Sequence, residues 1–413
     1  MKVVLGAAFG DEGKGRVVDA LCARSRVLPG MVRFSGGHQA AHRVVVGRKE
    51  HIFAHFGSGT LRGAPTYWSK YCPVAPVHLM NELVALEQIG IEAPVMHIDG
   101  HCAVTTPYDV MWGRRQKYLM GEHGSCGMGI YPTWQRERNG CHFLFEDIMH
   151  PEIVRMKLKQ VEEYYRAALE KPDSEAEEQF LGDCSLVAGY VRDGAFYLTY
   201  SLNEFVLHHQ SAREADGFNN TTQGPYSDDP DDREDFPLIF EGSQGLLLDM
   251  DYGFFPHVTP SNTGMQNVVE MLGPSYREEN IETWLVTRAY STRHGHGPFL
   301  PRAFANDTYE IKNPHEKNGD GGPQGKFRTG PLSLDLLRYA VNKDAYLRQF
   351  GVDNVVVTCR DLMQGKTLVI DKGVLCECRG DHEFFVDIKR ATRARNIWIS
   401  TSPDGEIPLE RVE

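Results

Sequence analysis

The feature that most constrains this chain lies at its N-terminus. A short β-branched run, Lys2 to Leu5, ends at Gly6 and leads through Gly10-Asp11-Glu12-Gly13-Lys14-Gly15-Arg16 into a segment with Val17, Val18 and Leu21 at helical spacing. Strand, glycine-rich turn and helix in that order open a parallel α/β sheet. Glycines at 10, 13 and 15 let the backbone approach a polyanion, the following helix aims its first N–H groups at it, and Lys14 adds a point charge. A Walker turn would carry glycine at Ala8 and Ser or Thr at Gly15, so this is a P-loop-like phosphate-binding turn of another make. Asp11 is unusual within it, because a carboxylate repels phosphate unless a cation or a reacting proton requires it. The plainer reading of Asp11 is a helix N-cap.

The same alternation continues along the chain. Strands are expected at Met31 to Phe34, ahead of Gly36-Gly37, and at Pro237 to Phe240, Thr283 to Ala289 and Asn354 to Thr358. A helix is expected from Val77 to Gln88, with Leu79, Leu83 and Leu86 on one face. The fold class is therefore α/β, a large mainly parallel central sheet with helices on both faces, and ligands gather at the carboxyl ends of such strands. Residues 1–413 are expected to form a single large domain. Residues 152–170 are expected to be helical and 171–178 an acidic break. Residues 216–236 are expected to be an acidic loop excursion, in which Asn219 and Asn220 fit a glycosylation pattern but read as ordinary loop residues.

Charge and cysteine usage narrow the function. The formal charge is −12, which argues against a nucleic-acid binder, since that binding needs a basic face. Six acids against one arginine between Asp228 and Asp235 supply −5 of it, so the remainder has room for cationic phosphate sites. Nine cysteines without a CxxC pair read as buried free thiols rather than a metal site. There is no secretory pattern and no apolar run of about 18 residues, so a soluble cytoplasmic protein without membrane contact is expected.

The run LGAAFGDEGKGRVVDAL closely resembles the N-terminal signature of the adenylosuccinate synthetase family. Further matches follow in order: RFSGGHQAAH at 33–42, GSCGMGIYP at 124–132 and FEGSQGLLLDMDYGFFPHVTPSNT at 240–263. After them come AYSTRHGHGPF at 289–299, GKFRTG at 325–330 and ISTSPD at 399–404. The resemblance implies a ligase that joins L-aspartate to a 6-oxopurine nucleotide, most simply IMP, through a 6-phosphoryl intermediate at the expense of a nucleoside triphosphate. It implies Asp11 as the base for the N1 proton and a Mg²⁺ ligand, and His42 as the general acid at the departing phosphoryl oxygen. Lys14 would neutralise phosphoryl charge, and Gln244 would bond the 6-oxygen region.

For nucleotide binding the resemblance points to Gly10, Glu12, Gly13, Gly15 and Arg16 in the turn, and to Gln39, Ser125, Cys126, Arg138 and Thr259 for the monophosphate. Arg293, Asp361 and Ser402 complete that set. The Arg138 position reaches into the neighbouring subunit in the family, so a homodimer is implied. Gly325, Lys326 and Arg328 would hold the amino acid, and the Ala41 carbonyl would join Asp11 on the metal.

This chain departs from the family pattern at four places. Ser125-Cys126 replaces Thr-Thr, and a thiol is a poor donor to phosphate. Ala41 replaces a glycine, and Lys326 cannot offer a bidentate fork. Thr358-Cys359-Arg360-Asp361 lacks the lysine of the family's guanine segment, which leaves GTP or ATP as the donor. Two rival readings follow: a phage-type dGMP–aspartate ligase, and an inactive nucleotide-binding regulator. Asp11 disfavours the first by crowding a 2-amino group, and joint retention of Asp11, Lys14, His42 and Gln244 disfavours the second. A GTPase switch is disfavoured by the missing Ser or Thr at Gly15.

Overall fold

The computed structural model describes residues 1–120, 127–169, 174–215, 236–275, 281–301, 304, 311, 313–314, 316, 325–363 and 366–412. In chain order the strands are β1 (Lys2–Gly6), β2 (Gly30–Arg33), β3 (His42–Val46), β4 (Lys49–Phe53), β5 (Thr66–Trp68), β6 (Met96–Asp99) and β7 (Phe196–Thr199). After these come β8 (Leu238–Glu241), β9 (Glu282–Arg288), β10 (Ser291–His294), β11 (Phe327–Gly330) and β12 (Leu332–Ser333). The last are β13 (Val352–Thr358), β14 (Thr367–Asp371), β15 (Val374–Cys378), β16 (Ala394–Ser400) and β17 (Glu410–Val412). The helices are α1 (Lys14–Arg24), α2 (Pro76–Gln88), α3 (Pro107–Met120), α4 (Ile130–Arg138), α5 (Pro151–Tyr165) and α6 (Ser174–Arg192). They continue with α7 (Leu202–Ala215), α8 (Gln266–Leu272), α9 (Leu334–Lys343), α10 (Ala345–Phe350) and α11 (Asp381–Thr392).

Ten strands form one sheet in the order β17-β16-β13-β9-β1-β8-β2-β5-β6-β7, parallel except for the antiparallel edge strand β17. Because successive side chains of a strand point to opposite faces, the central strands feed two separate cores. Val3, Leu5, Val32, Phe240, Leu285 and Val355 pack with α9, α10 and α11 on one side. Val4, Met31, Ile239, Trp284, Val286 and Val356 pack with α1 on the other. A third apolar cluster joins β5 and β6 to α2, α5 and α6. The sheet is therefore covered on both faces, which explains why its strands read as nearly continuous apolar runs.

The expected elements are found within two or three residues of their limits, with three corrections. The helix expected over 152–170 ends at Tyr165. The expected break at 171–178 ends sooner, because α6 begins at Ser174 and uses Glu175 and Glu177 in its first turn, where acids complement the helix dipole. Phe236, assigned to the excursion, is buried in the core against Phe205, and residues 216–235 lie outside the described residues.

Parallel strands carry their carboxyl ends to one edge. The turn after β1, the Gly36-Gly37 turn after β2, the Gly242–Gln244 turn after β8 and the ends of β9 and β13 therefore meet there.

Candidate active site

The turn after β1 is held from within and from both sides. Gly10, Asp11 and Gly13 all have positive φ, at 90°, 63° and 92°. For Asp11 that conformation costs about 1 kcal/mol or more and must be imposed by its surroundings. Glu12 imposes it: Oε1 accepts from the N–H of Ala8 at 3.0 Å and of Gly10 at 2.9 Å, and Oε2 pairs with Lys14 Nζ at 2.8 Å. Glu12 and Lys14 are 2% and 3% exposed. Thr358 Oγ1 donates to Glu12 O at 2.8 Å, and Arg288 Nε donates to Asp11 O at 2.6 Å. The N-cap of α1 is Gly13, with no side-chain cap, so the N-cap reading of Asp11 does not apply. Among the described residues no hydrogen bond reaches the Asp11 carboxylate. Burial pushes its pKa up from 3.8, with Glu12 adding to the rise and Arg288 and Lys14 opposing it. A carboxylate raised in this way is a better proton acceptor than an ordinary one.

Gly15 explains why the turn departs from a Walker sequence. A Cβ there would lie 3.0 Å from His42 Cβ, 3.0 Å from Ser58 Oγ and 3.3 Å from a Val44 methyl. The space that Ser or Thr would fill is occupied by the strand bringing His42 to the turn.

His42 begins the β3–β4 hairpin and is oriented by buried charge. Its Nδ1 lies 2.5 Å from Glu241 Oε1, at the end of β8, and 3.3 Å from Arg33 Nη1, at the end of β2. Arg33 and Glu241 are both 0% exposed and 3.5 Å apart. Ser58 donates its backbone N–H to Glu241 Oε2 at 2.9 Å and its hydroxyl to Oε1, and Arg33 Nη2 donates to Ser243 Oγ at 3.1 Å. Burial and Arg33 push His42 down to about 4 against the pull of Glu241. Glu241 is held down to about 2 because Arg33 and His42 outweigh its burial. In the free protein the imidazole is thus neutral at pH 7 with its proton on Nδ1 facing the carboxylate, so Nε2 acts as the expected general acid only after taking up a second proton. This is the logic by which a buried carboxylate sets a catalytic imidazole. Glu241 lies inside the FEGSQG match and Arg33 opens RFSGGHQAAH, yet the sequence reading gave neither a role. The only signal was a charged residue closing each apolar strand.

Gln244 also has positive φ, 52°, and its Oε1 is buried without a partner among the described residues. A Cβ on Gly36, where φ is 78°, would sit 2.9 Å from that oxygen, and one on Gly10 would sit 3.5 Å from Gln244 Cα. The two glycines let three turns close on Gln244. Gln39 Oε1 is likewise buried and unpartnered, close to Gly37. Buried amide oxygens without partners carry a desolvation cost that a bound donor relieves.

The remaining sequence-predicted residues are placed less uniformly. Arg293 and Arg328 face each other across the β10–β11 pair. Arg293 donates to the carbonyls of His296, Pro298 and His257 at 3.0, 2.6 and 3.2 Å and lies over the Phe9 ring. Arg328 donates to those of Gly297 and Gly295 at 3.1 and 2.6 Å. Burial, with Arg328 adding repulsion, lowers Arg293 to about 10. In this conformation both guanidiniums brace the loop 295–298. Lys326 is exposed and its carbonyl accepts from Gly295 N–H at 3.0 Å, while Gly325 has φ 89°.

At the other end, Arg16 Nε donates to Ser402 O at 3.1 Å, so Ser402 meets the turn through its backbone. Cys359, half-buried with φ 58°, follows Thr358. Asp361 is exposed, and Arg360 is committed to Asp381 and to Thr367 Oγ1 at 3.1 Å. Thr259 bonds Leu248 O through its N–H at 2.8 Å, and Ala41 is exposed beside His42. Arg138 is exposed at the end of α4 without an ion pair among the described residues. Ser125 and Cys126 lie outside the described residues.

Similarities to known proteins agree with this geometry. The profile of the adenylosuccinate synthetase family matches residues 3–210 and 229–377. The adenylosuccinate synthetase of Nitrosomonas europaea is 33% identical over 390 residues, 92% of this chain and 81% of that protein. That of Teredinibacter turnerae is 32% identical over 309 residues, 72% of this chain and 64% of that protein. In fold, the chain matches the fully ligated adenylosuccinate synthetase of Plasmodium falciparum with a TM-score of 0.76 at 18% identity, covering 100% and 99% of the two chains. It also matches the succinoaminodeoxyadenylate synthetase of cyanophage S-2L, solved with dGMP and dATP, with a TM-score of 0.58 at 13% identity, covering 99% and 94%. The chain belongs to the adenylosuccinate synthetase family, ligases that form carbon–nitrogen bonds.

Proposed function

We propose that residues 1–413 act as one catalytic unit that joins L-aspartate to IMP, giving adenylosuccinate, GDP and phosphate from GTP. The observation that carries this reading is a half-buried Asp11 with its carboxyl pushed up, in the turn that packs through Gly15 against the carboxylate-set His42, with the Gln244 amide oxygen unpartnered among the described residues at the same sheet edge. Asp11 takes the N1 proton of the purine, which places charge on O6. That oxygen attacks the γ-phosphorus of the donor and the bond to the β-phosphate oxygen breaks. His42, charged by a proton taken up at Nε2 as phosphate charge arrives and held by Glu241 at Nδ1, would donate to the transferred phosphoryl oxygen, and Lys14 would neutralise charge from the turn. The amine of aspartate then adds at C6, loses its proton and expels the phosphate. Gln39 and Thr259 serve the monophosphate, with Ser125 and Cys126, and the Arg328 loop serves aspartate. Arg138, exposed and without an ion pair among the described residues, is suited to reach a second subunit of a homodimer.

A magnesium ion fits the donor set. Asp11 is a hard oxygen donor that no described hydrogen bond reaches, Ala41 is exposed next to His42 and would offer its carbonyl, and Mg²⁺ characteristically joins one or two carboxylates to substrate phosphates. When bound, it neutralises phosphate charge during transfer.

The second reading, dGMP as acceptor with ATP or dATP as donor, is favoured by one feature. Cys359 stands where the family has lysine, and the nearby Arg360 is turned away to Asp381. One experiment decides: incubation with aspartate, Mg²⁺ and each of IMP, dIMP, GMP and dGMP against GTP, ATP and dATP, with product masses read out. IMP with GTP giving the largest yield of succinylated product supports the proposal, and product from dGMP alone overturns it.

A further inference from the structure

The turn that carries Asp11 is gripped at several points, and a single grip falls on Asp11 itself. Glu12 Oε1 accepts from the N–H groups of Ala8 and Gly10, and Thr358 Oγ1 donates to Glu12 O. Among the described residues the one hydrogen bond made by Asp11 is at its backbone carbonyl, which accepts from Arg288 Nε at 2.6 Å. Holding that oxygen fixes the peptide plane between Asp11 and Glu12. It therefore fixes ψ for a residue whose φ, 63°, already lies in the left-handed region. With both dihedrals set, the rotamers open to the Asp11 carboxylate are set as well.

Arg288 is in turn held from the side away from the turn. It is the last residue of β9, pairs in register with Thr358 of β13, and is 8% exposed. Its Nη1 donates to the Tyr290 hydroxyl at 3.0 Å and to Glu316 Oε2 at 2.7 Å. The guanidinium carbon lies 5.6 Å from the ring centroids of both Tyr290 and Phe327, so β10's approach and β11 flank it. A carbonyl, a phenol and a carboxylate on one side chain suit the fixed fork of a guanidinium, not the single point of an ammonium. The proposed chemistry gives Arg288 no bond to a substrate. A buried cation tied to the Asp11 peptide at one nitrogen and to Glu316 at another calls for a different role.

We propose that Arg288 is the positioning residue of the base. Its Nε holds the Asp11 peptide while Tyr290 and Glu316 hold Arg288, and the Asp11 carboxylate keeps its place only while that relay of contacts is complete. This deepens the reading of Asp11 as the base and rests on it. A non-glycine residue in the left-handed region persists only where its surroundings impose it, so Asp11 relaxes when the bond to its carbonyl is removed. Displacing a reacting group by about 1 Å lowers the rate by about 10².

A double-mutant cycle in the intact protein tests the relay. Arg288→Met should lower kcat by about 10² while the KM values for IMP, aspartate and GTP stay within about threefold. Arg288→Lys reaches the Asp11 carbonyl or Glu316 but not both, and should recover part of the loss. Glu316→Gln, at the outer end of the relay, should lower kcat about tenfold with the same KM values, and it takes the place of Arg288→Met in the cycle if that variant does not fold. Because Arg288 acts through Asp11, either substitution should lower the rate no further in an Asp11→Ala background. An arginine that merely stabilised the fold, or one that bound substrate, would take the same factor from both backgrounds. Wild-type kcat in Arg288→Met and Glu316→Gln, or the same loss repeated on top of Asp11→Ala, would overturn the proposal. If Asp11→Ala alone turns over normally, the base assignment fails, a result distinct from an Arg288 effect that is missing or additive.

Discussion

Glu241→Gln separates the orientation of His42 from its mere presence. The native carboxylate is fully buried, lies 2.5 Å from His42 Nδ1 and 3.5 Å from the Arg33 guanidinium, and accepts two bonds from Ser58. Glutamine keeps the shape and one acceptor oxygen but removes the charge, leaving Arg33 buried opposite a neutral amide. Breaking a buried pair costs about 3–5 kcal/mol, and the retained acceptor places this variant near about 3. That is a large fraction of the stability of an ordinary domain, yet short of unfolding it. Without the carboxylate, the imidazolium that His42 needs in order to donate from Nε2 loses the charge that stabilises it. Turnover should then fall by about 10²–10⁴, the range over which general acid–base groups act. The assay pairs single-turnover formation of succinylated product with urea unfolding of the same preparation. A Glu241→Gln protein that loses stability but turns over within about threefold of wild type would refute the orientation argument.

Asp11→Ala and His42→Ala should each lower turnover by about 10² or more while weakening the monophosphate far less, and near-normal turnover in Asp11→Ala would remove the base. Acid should destabilise the fold through the His42 network: the unfolded histidine binds its proton below 6.5 but the folded one only near about 4. Glu241, raised by burial but lowered more by Arg33 and His42, adds stability present above 4.5 and lost as pH falls towards about 2. In both windows the unfolded chain binds more protons, so stability rises with pH; a urea midpoint at pH 5 equal to that at pH 7 would contradict this. Mixing inactive Arg138→Leu with inactive His42→Ala should restore activity through heterodimers carrying one intact site, and no recovery after demonstrated subunit exchange would count against a shared site. Discrimination of GTP from ATP should fall below about 10⁴ in kcat/KM, because Cys359 cannot cover the base as a lysine stem does. Complete rejection of ATP and dATP would show that another side chain does that work.

Local patterning in the sequence carried the turn and five of the ten strands of the central sheet, β1, β2, β8, β9 and β13. Apolar runs mark β1, β2, β9 and β13, because a strand covered on both faces must be apolar throughout, and glycine-rich turns follow β1 and β2, where a phosphate turn must shed its Cβ atoms. The ordered motifs carried the family, and with it Asp11, Lys14, His42 and Gln244 as a set. Glu241 and Arg33 escaped notice because nothing local separates a strand-terminal charge facing solvent from one facing another charge. Their partnership exists only because β2 and β8 are neighbours, although more than two hundred residues separate them in the chain.

The sequence by itself determined which chemical groups the chain possesses and the periodicity that folds them into a parallel sheet. Tertiary structure alone decided which of those groups are free to act. It committed Arg293, Arg328 and Arg360 to carbonyls and carboxylates in this conformation, and gave Glu12 to the turn and to Lys14. Among the described residues it left the carboxylate of Asp11 and the side-chain oxygens of Gln39 and Gln244 without hydrogen-bond partners. The physical reason is that a residue's type sets what it can bond, but burial and distance to charges remote in sequence set its protonation state and its remaining capacity to bind a substrate.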